Sequence, residues 1–361
     1  MSDDEKLKKI RAEIDGIDHE IQRLISARAK CALSVAEVKQ AQDGPQAEFY
    51  RPEREAQVLR RIMERDSGPL AKDTVAKLFR EIMSACLALE SPQRVAYLGP
   101  EGTFTQEAVL KHFGHAVESH ACLSIHAVFR EVESGSAKYG VVPVENSTEG
   151  VVNHTLDTFM QSPLCIAGEA VIRVHLNLLS AKEALDQVSI VYAHEQALAQ
   201  SRNWLDAHLP QAKRLAVSSN AEAARIAKQQ GEAAIASEMA ASVYKLDILS
   251  RHIEDQPNNT TRFLVISAQD VPPSGNDKTT LLVSAANKPG ALFSLLEPFA
   301  TRNISMSRIE SRPSRGGLWE YVFFIDIDGH KTDLPVADAL TTLQSESAAF
   351  RILGSYPTAP Y

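Results

Sequence analysis

Charged side chains in the first ninety residues are the first candidates for chemistry: Arg11, Arg28, Lys39, Arg54, Glu55 and Glu90. Arg28 is the most telling. Leu7, Ile10, Ile14, Ile17, Ile21, Leu24, Cys31, Val35 and Val38 keep a 3-4-3-4 rhythm, and Arg28 falls on that apolar register. A guanidinium there needs an anion or a carboxylate opposite it. Glu90 follows Cys86 by one turn on a face that also carries Val75, Phe79, Ile82 and Met83, so a carboxyl group is aimed inward. A second reactive stretch begins at Val141 and runs through Glu145, Asn146, Ser147 and Thr148 to Gly150. An apolar strand ends there in three good N-cap residues, and Val151, Val152, Leu156 and Phe159 take up helical spacing beyond them. Such a strand-to-helix corner turns amide N–H groups and a positive helix end towards a carboxylate.

The elements that must hold these groups differ along the chain. The seam predicts one long helix. On it Arg11 and Lys39 lie ~42 Å apart at 1.5 Å per residue, too far to touch one small molecule, so one of them serves another chain's site. Asp43-Gly44-Pro45 breaks the helix, Arg51-Pro52 opens a second with proline in its first turn, and a third runs from about Ala71 to Glu90.

After residue 93 strands and helices alternate. Val95 to Leu98 reads as a strand, Thr103 and Gln106 form a capping box for a helix through Leu110, and Ser124 to Glu133 is a helix. Gly140 to Val144 is a strand, followed by a helix after Thr148 and a strand from Ala170 to Leu179. Ile190 to Tyr192, a helix over Gln196 to His208, a Ser219–Glu222 capping box, Ala233 to Ile235 and a helix through Tyr244 complete an α/β region, with Leu264 to Ile266 as its last strand. Open sheets of this kind bind ligands beyond the strands' carboxyl ends. Val271 to Asp277 is a linker by composition. Strands at Thr279 to Ala285, Ile304 to Arg312, Trp319 to Asp328 and Phe350 to Gly354 then alternate with two helices. The first of these starts around Asn287-Lys288-Pro289-Gly290 and ends near Arg302, and the second spans Leu334 to Glu346. That order is βαββαβ.

Of 361 residues 44% are hydrophobic, enough for two or three buried cores. The net charge of -8 argues against nucleic acid or an anionic membrane as partner. Four widely spaced cysteines form no metal-ligand pattern and fit reduced thiols in the cytoplasm. Neither a signal peptide nor a membrane-length apolar run is present.

Three resemblances organise these readings into a multidomain enzyme. Residues 1–91 resemble the all-α, three-helix chorismate mutase family. The resemblance implies an intertwined homodimer in which basic residues grip chorismate's two carboxylates, Arg11 coming from the partner chain and Arg28, Lys39 and Arg54 from the same chain; a lysine and Glu90, in a glutamine's place, stand at the ether oxygen, and Glu55 matches the acidic hydroxyl-binding position. Glu90 replaces the glutamine of many members, Cys86 a common serine and Arg51 a frequent aspartate. The rearrangement is pericyclic, so the protein supplies orientation and charge. Glu90 can donate to the ether oxygen only when protonated, which burial favours.

Residues 93–270, with Gly99-Pro100-Glu101-Gly102-Thr103-Phe104, Pro143-Val144-Glu145-Asn146-Ser147-Thr148, His194-Glu195-Gln196 and Thr260-Thr261-Arg262-Phe263, resemble prephenate dehydratase. This implies a two-lobed, periplasmic-binding-protein-like α/β fold with prephenate between the lobes. Asn146, Ser147, Thr148, Gln196 and Arg262 would bind substrate, and Thr261 would act on the departing hydroxyl, with assistance. Ala193 stands where many members have serine. Residues 278–357, with Gly290-Ala291-Leu292-Phe293 and Glu310-Ser311-Arg312-Pro313, resemble the ferredoxin-like α+β ACT domain. The resemblance implies an allosteric L-phenylalanine site on Gly290, Ala291, Leu292, Glu310, Ser311 and Arg312, the glycine allowing a close backbone approach. Together these imply an isomerase and a lyase on one chain, using no metal or organic cofactor and inhibited by L-phenylalanine.

Overall fold

A computed structural model describes residues 3–44, 47–65, 68–284, 289–313 and 321–359. The chain divides into two compact units, one of Met1–Arg51, Leu59–Gln93 and Phe113–Glu118, the other of Pro52–Val58, Arg94–His112 and Ser119–Tyr361. The seam forms a single helix, α1 (Asp3–Asp43), about 60 Å long; α2 (Pro52–Glu64) starts on its proline, and α3 (Lys72–Glu90) follows. The face that α3 buries differs from the expected one. Ala76, Arg80, Ser84 and Cys86 are buried, Val75, Ile82 and Met83 are half-buried, and Phe79 is 37% exposed. Small side chains let a neighbouring helix close in, and the larger apolar ones look onto a face that one chain leaves open.

The second unit carries β1 (Arg94–Leu98), α4 (Phe104–Phe113), β2 (Glu118–Cys122), α5 (Ile125–Glu133), β3 (Tyr139–Asn146), β4 (Gly150–Val151), α6 (Asn153–Phe159) and β5 (Cys165–Arg173). There follow β6 (Asn177–Ser180), β7 (Ile190–His194), α7 (Glu195–Gln200), α8 (Arg202–His208), β8 (Lys213–Val217), α9 (Asn220–Gln230), β9 (Ala233–Ala236), α10 (Glu238–Tyr244), β10 (Asp247–Ser250) and β11 (Thr260–Ser267). These build two sheets, ordered β2-β1-β3-β11-β5, with β4 beside β3, and β10-β6-β9-β7-β8. The expected strand over 170–179 is in fact β5 and β6, one in each sheet, so residues 174–176 cross between lobes. The expected helix over 196–208 is two helices broken at the buried Ser201.

The helix expected after Thr148 starts only at Asn153. The chain turns back from β3 into β4 first, because Asn146 Oδ1 accepts the N–H groups of Thr148 and Glu149 and Gly150 adopts φ +82°. Helix α6 then starts at Asn153 with Val152 as its uncapped N-cap. Elsewhere the capping signals hold. Thr103 Oγ1 accepts from Gln106 N–H, while the Gln106 side chain takes Gly102 N–H at 2.6 Å, and Ser219 Oγ accepts from Glu222 N–H.

The third sheet, β13-β14-β12-β15, comes from β12 (Asp277–Ser284), α11 (Ala291–Ala300), β13 (Met306–Pro313), β14 (Tyr321–Asp328), α12 (Leu334–Glu346) and β15 (Ala349–Pro357). That is βαββαβ. Pro45, Ala285, Asn287, Lys288, Trp319 and Glu320 of the expected elements lie outside the described residues. One core runs from the first sheet into the third, joining Phe129, Phe159, Leu264 and Ile266 to Phe324, Leu353 and Tyr356.

Candidate active sites

Within the helical unit α1 and α3 bring three of the expected groups together. Arg28 and Lys39 are both half-buried. The Lys39 ammonium donates to the carbonyls of Glu48 (2.8 Å) and Phe49 (3.2 Å) and lies 5.6 Å from the Phe49 ring centre. Burial lifts the Glu90 carboxyl above its usual range, and Lys39 and Arg28 pull it part of the way back. The group therefore holds two cations and one reluctant acid. Arg11 is exposed, about 26 Å up the same helix from Arg28. Arg54 is exposed and Glu55 half-buried on the first turn of α2.

In the second unit a cavity of about 320 Å³ lies between the first two sheets, within the range of small-molecule sites. Asn146, at the end of β3, stands opposite Thr261 of β11 in the antiparallel register. Its Nδ2 donates to Thr261 Oγ1 at 2.8 Å. Because Asn146 Oδ1 is already taken by two backbone N–H groups, only the amide's donor end can face Thr261. The threonine oxygen accepts that bond, so its own hydrogen is left to point at whatever fills the cleft.

From the other lobe His194, Gln196, Ser219 and Ser237 reach the same cavity. His194 Nδ1 caps α7 by accepting from Gln196 N–H, and Asn220 Oδ1 accepts from His194 N–H. The lobes touch closely: Ser237 Oγ donates to the Gly102 carbonyl, and a Cβ on Gly102, at φ +83°, would meet Ala240 Cα at 3.1 Å. Glu149 also lines the cavity. Burial raises its carboxyl above the ordinary range, while His194 opposes that rise, and Gln200 Nε2 donates to it at 3.3 Å. Sequence reasoning gave Glu149 no role, although it directly follows the triplet as Glu145 directly precedes it.

Three expected substrate ligands stand elsewhere. Ser147 Oγ accepts from Thr260 N–H (2.9 Å), and Thr148 is exposed, its N–H committed to Asn146; neither lines the cavity. Arg262 is turned away, because alternate residues of a strand face opposite sides. Thr261 and Phe263 line the cleft, and Arg262 meets Glu169 Oε2 (2.7 Å), Asp326 Oδ2 (2.6 Å) and the Tyr356 hydroxyl (3.0 Å) on the other face. Burial alone would lower its pKa, but Tyr356, Asp326 and Glu169 around it hold it above the ordinary guanidinium range.

On the third sheet Gly290 sits at φ +80° as the N-cap of α11, with nothing within 4 Å of a Cβ placed there. A left-handed backbone, rather than a close approach, explains the glycine. Ala291 and Leu292 open α11 and Leu292 is 41% exposed; Glu310 is half-buried and Ser311 exposed on β13. Arg312 is spoken for by Asp157 (2.6 Å) and Asn153 (2.8 Å) of α6.

Compared with known proteins, residues 10–91 match the family model of chorismate mutase type II, 95–271 that of prephenate dehydratase, and 279–344 that of the ACT domain. The bifunctional chorismate mutase/prephenate dehydratase of Stutzerimonas stutzeri is 55% identical over 364 residues, covering 99% of this chain and 100% of its own. A prephenate dehydratase from Arthrobacter aurescens, solved in complex with L-Phe, is 38% identical with a TM-score of 0.68, covering 73% of this chain and 90% of that one. A quorum quenching acylase, GqqA, is 30% identical with a TM-score of 0.69, covering 74% and 99%.

Proposed function

The chain belongs to the family of bifunctional chorismate mutase/prephenate dehydratases, and we propose that it carries out both steps. Chorismate rearranges to prephenate in the helical unit, and prephenate loses water and carbon dioxide to give phenylpyruvate in the cleft, under inhibition by L-phenylalanine. The observation that carries this reading is the Asn146–Thr261 hydrogen bond at 2.8 Å in the cleft wall.

In the mutase, which we assign to residues 1–91, Arg28 holds carboxylate while Lys39, beside Glu90, meets the ether oxygen and stabilises charge as that bond breaks. Protonated Glu90 donates to the ether oxygen. Arg54 and Glu55 complete the substrate's hold, and Arg11 reaches a neighbouring chain's site in a homodimer. The exposed seam of α1 supports that pairing.

In the dehydratase, assigned to residues 93–270, Asn146 fixes the Thr261 rotor so that its hydrogen meets the leaving hydroxyl. Glu149, whose carboxyl burial lifts above its usual range against the opposing pull of His194, is the acid that assists it. Gln196 holds a substrate carboxylate, with Ser147 and Thr148 shaping the turn that carries Asn146 rather than touching the ligand. Electrons released with carbon dioxide restore aromaticity to the ring. Neither reaction is assigned a metal or organic cofactor.

The ACT domain, residues 278–357, takes L-phenylalanine at Gly290, Ala291, Leu292, Glu310 and Ser311. Exposed Leu292, Phe293, Met306 and Ile309 suit a second copy of the same domain. Arg262 and Arg312 transmit the occupancy of that site, since each ties the dehydratase to the third sheet. We place the enzyme in the cytoplasm, in keeping with four unpaired cysteines.

The acylase relative shows that this frame can host other chemistry. An ultraviolet assay of chorismate loss and phenylpyruvate formation on one preparation, with and without L-phenylalanine, tests the reading. Both activities should appear and fall with the amino acid; failure to consume purified prephenate would refute it.

A further inference from the structure

Among the described residues one group of three metal-ligating side chains gathers outside the sites above: His175, His252 and Glu254. It lies where the chain crosses between the lobes. His175 is on the crossing from β5 to β6, and His252 and Glu254 are on the return from β10 to β11. The crossings are held side by side by Ile253 N–H on the Leu176 carbonyl (2.8 Å), Leu176 N–H on Glu254 Oε2 (2.9 Å) and His252 N–H on Asn177 Oδ1 (3.2 Å). The cluster therefore sits on a rigid frame.

Its proton inventory is awkward. His175 Nδ1 is 2.8 Å from Glu254 Oε1 and 2.8 Å from His252 Nδ1, and the latter pair of atoms closes the triangle at 3.7 Å. One ring nitrogen has either one hydrogen or one lone pair. A hydrogen on His175 Nδ1 would have to be shared between two acceptors, while His252 Nδ1 and the carboxylate both bring lone pairs to the same point. The Glu254 side chain is only 4% exposed, whereas the imidazoles are 36% and 55% exposed, leaving an approach from solvent. His252 meets this arrangement at φ +53°, in the left-handed region.

We propose that His175 Nδ1, His252 Nδ1 and Glu254 Oε1 bind a divalent transition-metal ion, zinc by preference, that pins the two lobe crossings together. A circle through the three donors has a radius of about 1.9 Å. An ion about 0.9 Å out of their plane is therefore about 2.05 Å from each, the length of Zn–N and Zn–O bonds. Two imidazoles and one carboxylate suit zinc; at bonds of about 2.05 Å the 2.8 Å pairs subtend about 86° and the 3.7 Å pair about 129°, a distorted three-ligand cap that a water on the exposed side makes four-coordinate. The ion satisfies three lone pairs at once, which one proton cannot do. Glu107, lifted above its usual range by burial, and the Arg251–Glu238 pair are the other charged groups beside the cluster. The site is remote from Thr261 in role: it braces the frame of the cleft and touches no substrate.

The test uses the full, tag-free chain after chelation, titrated with Zn²⁺ by calorimetry and with Co²⁺ by visible absorption. One equivalent should bind, with the intense bands of tetrahedral Co²⁺. His252→Asn tolerates the left-handed backbone, and Glu254→Gln keeps an acceptor for Leu176 N–H. A loss of affinity of about tenfold or more in either variant, with melting behaviour otherwise that of the parent, supports the site. No uptake by the parent chain, or uptake undiminished in both variants, overturns it, since binding would then belong to exposed imidazoles such as His115 and His208.

Discussion

Ten large apolar side chains of α1, from Leu7 to Val38, stand 38–56% exposed, whereas Val141, Val142 and Val144 of β3 are fully buried. The same contrast runs through the two candidate sites. Around Glu90 one chain supplies Arg28 and Lys39 and leaves Arg11 far along an unpartnered helix. Around Thr261 one chain supplies everything, from Asn146 on one lobe to Gln196 on the other. A single 41-residue helix leaves its seam exposed in one chain, which supports the proposal that another copy finishes its site. Two sheets facing each other make a cleft by themselves.

That difference can be broken by mutation, most sharply at Thr261. Thr261→Ala should lower phenylpyruvate formation by 10²–10⁴-fold, about the range for loss of a positioned proton donor, and leave chorismate turnover intact. Arg262→Ala should follow closely in size but in a different currency. It takes the guanidinium from Glu169 and Asp326, which are 4% and 1% exposed and keep Lys278 and the Thr280 hydroxyl respectively, and should cost about 3 kcal/mol in the urea unfolding of the dehydratase and third sheet, against little change in the helical unit. Arg28→Ala should cost the mutase about 10²–10³-fold while sparing the cleft. The comparison itself is sharpened by mixing Arg28→Ala chains with Arg11→Ala chains. If each site draws Arg11 from the partner, random exchange regenerates about a quarter of the sites. No regain of activity would place Arg11 in its own chain's site and erase the contrast.

Much of this was legible in the residues. The seam gave α1 its full length, because a 3-4 rhythm over five heptads has no other regular reading. Leu334 to Glu346 was bounded correctly by Pro335 in the first turn and by the end of the apolar pattern. The unread strands β2, β8 and β10 are all sheet edges, short and polar, where little apolar alternation is needed. The turn after Asn146 was misread for a deeper reason: an N-cap and an Asx turn use the same side chain and the same N–H groups, and only Gly150's left-handed backbone separates them. Arg262 failed similarly. Its neighbour Thr261 faces the cleft, and strand alternation alone sends the guanidinium to the opposite side, but its partners there are Glu169, 93 residues earlier, and Asp326, 64 residues later.

Smaller effects probe the acids. Glu149→Gln should lower dehydratase turnover by about tenfold, less than loss of the threonine that meets the substrate, because it acts through that group. Burial raises the Glu149 carboxyl, so the parent enzyme should lose activity as pH climbs through that raised value, and the glutamine variant should lack this limb. An unchanged limb would assign the proton to another group.

Glu90 offers the gentlest and most diagnostic comparison, because it carries the same kind of raised carboxyl into the other site. The sign is fixed by the role. Only the protonated acid donates to an ether oxygen, and burial places its titration above the ordinary carboxylate range despite Lys39 and Arg28. Mutase kcat/KM should therefore be highest in mild acid and fall as pH rises through the raised value. Glu90→Gln donates at every pH, so its profile should be flat and should exceed the parent by about a few-fold near neutrality. The dehydratase profile, set by Glu149 in a separate cleft, should not move. If the two profiles shifted together in the Glu90 variant, the sites would share a titrating group, and the division into one site completed by a neighbour and one completed within the chain would be wrong.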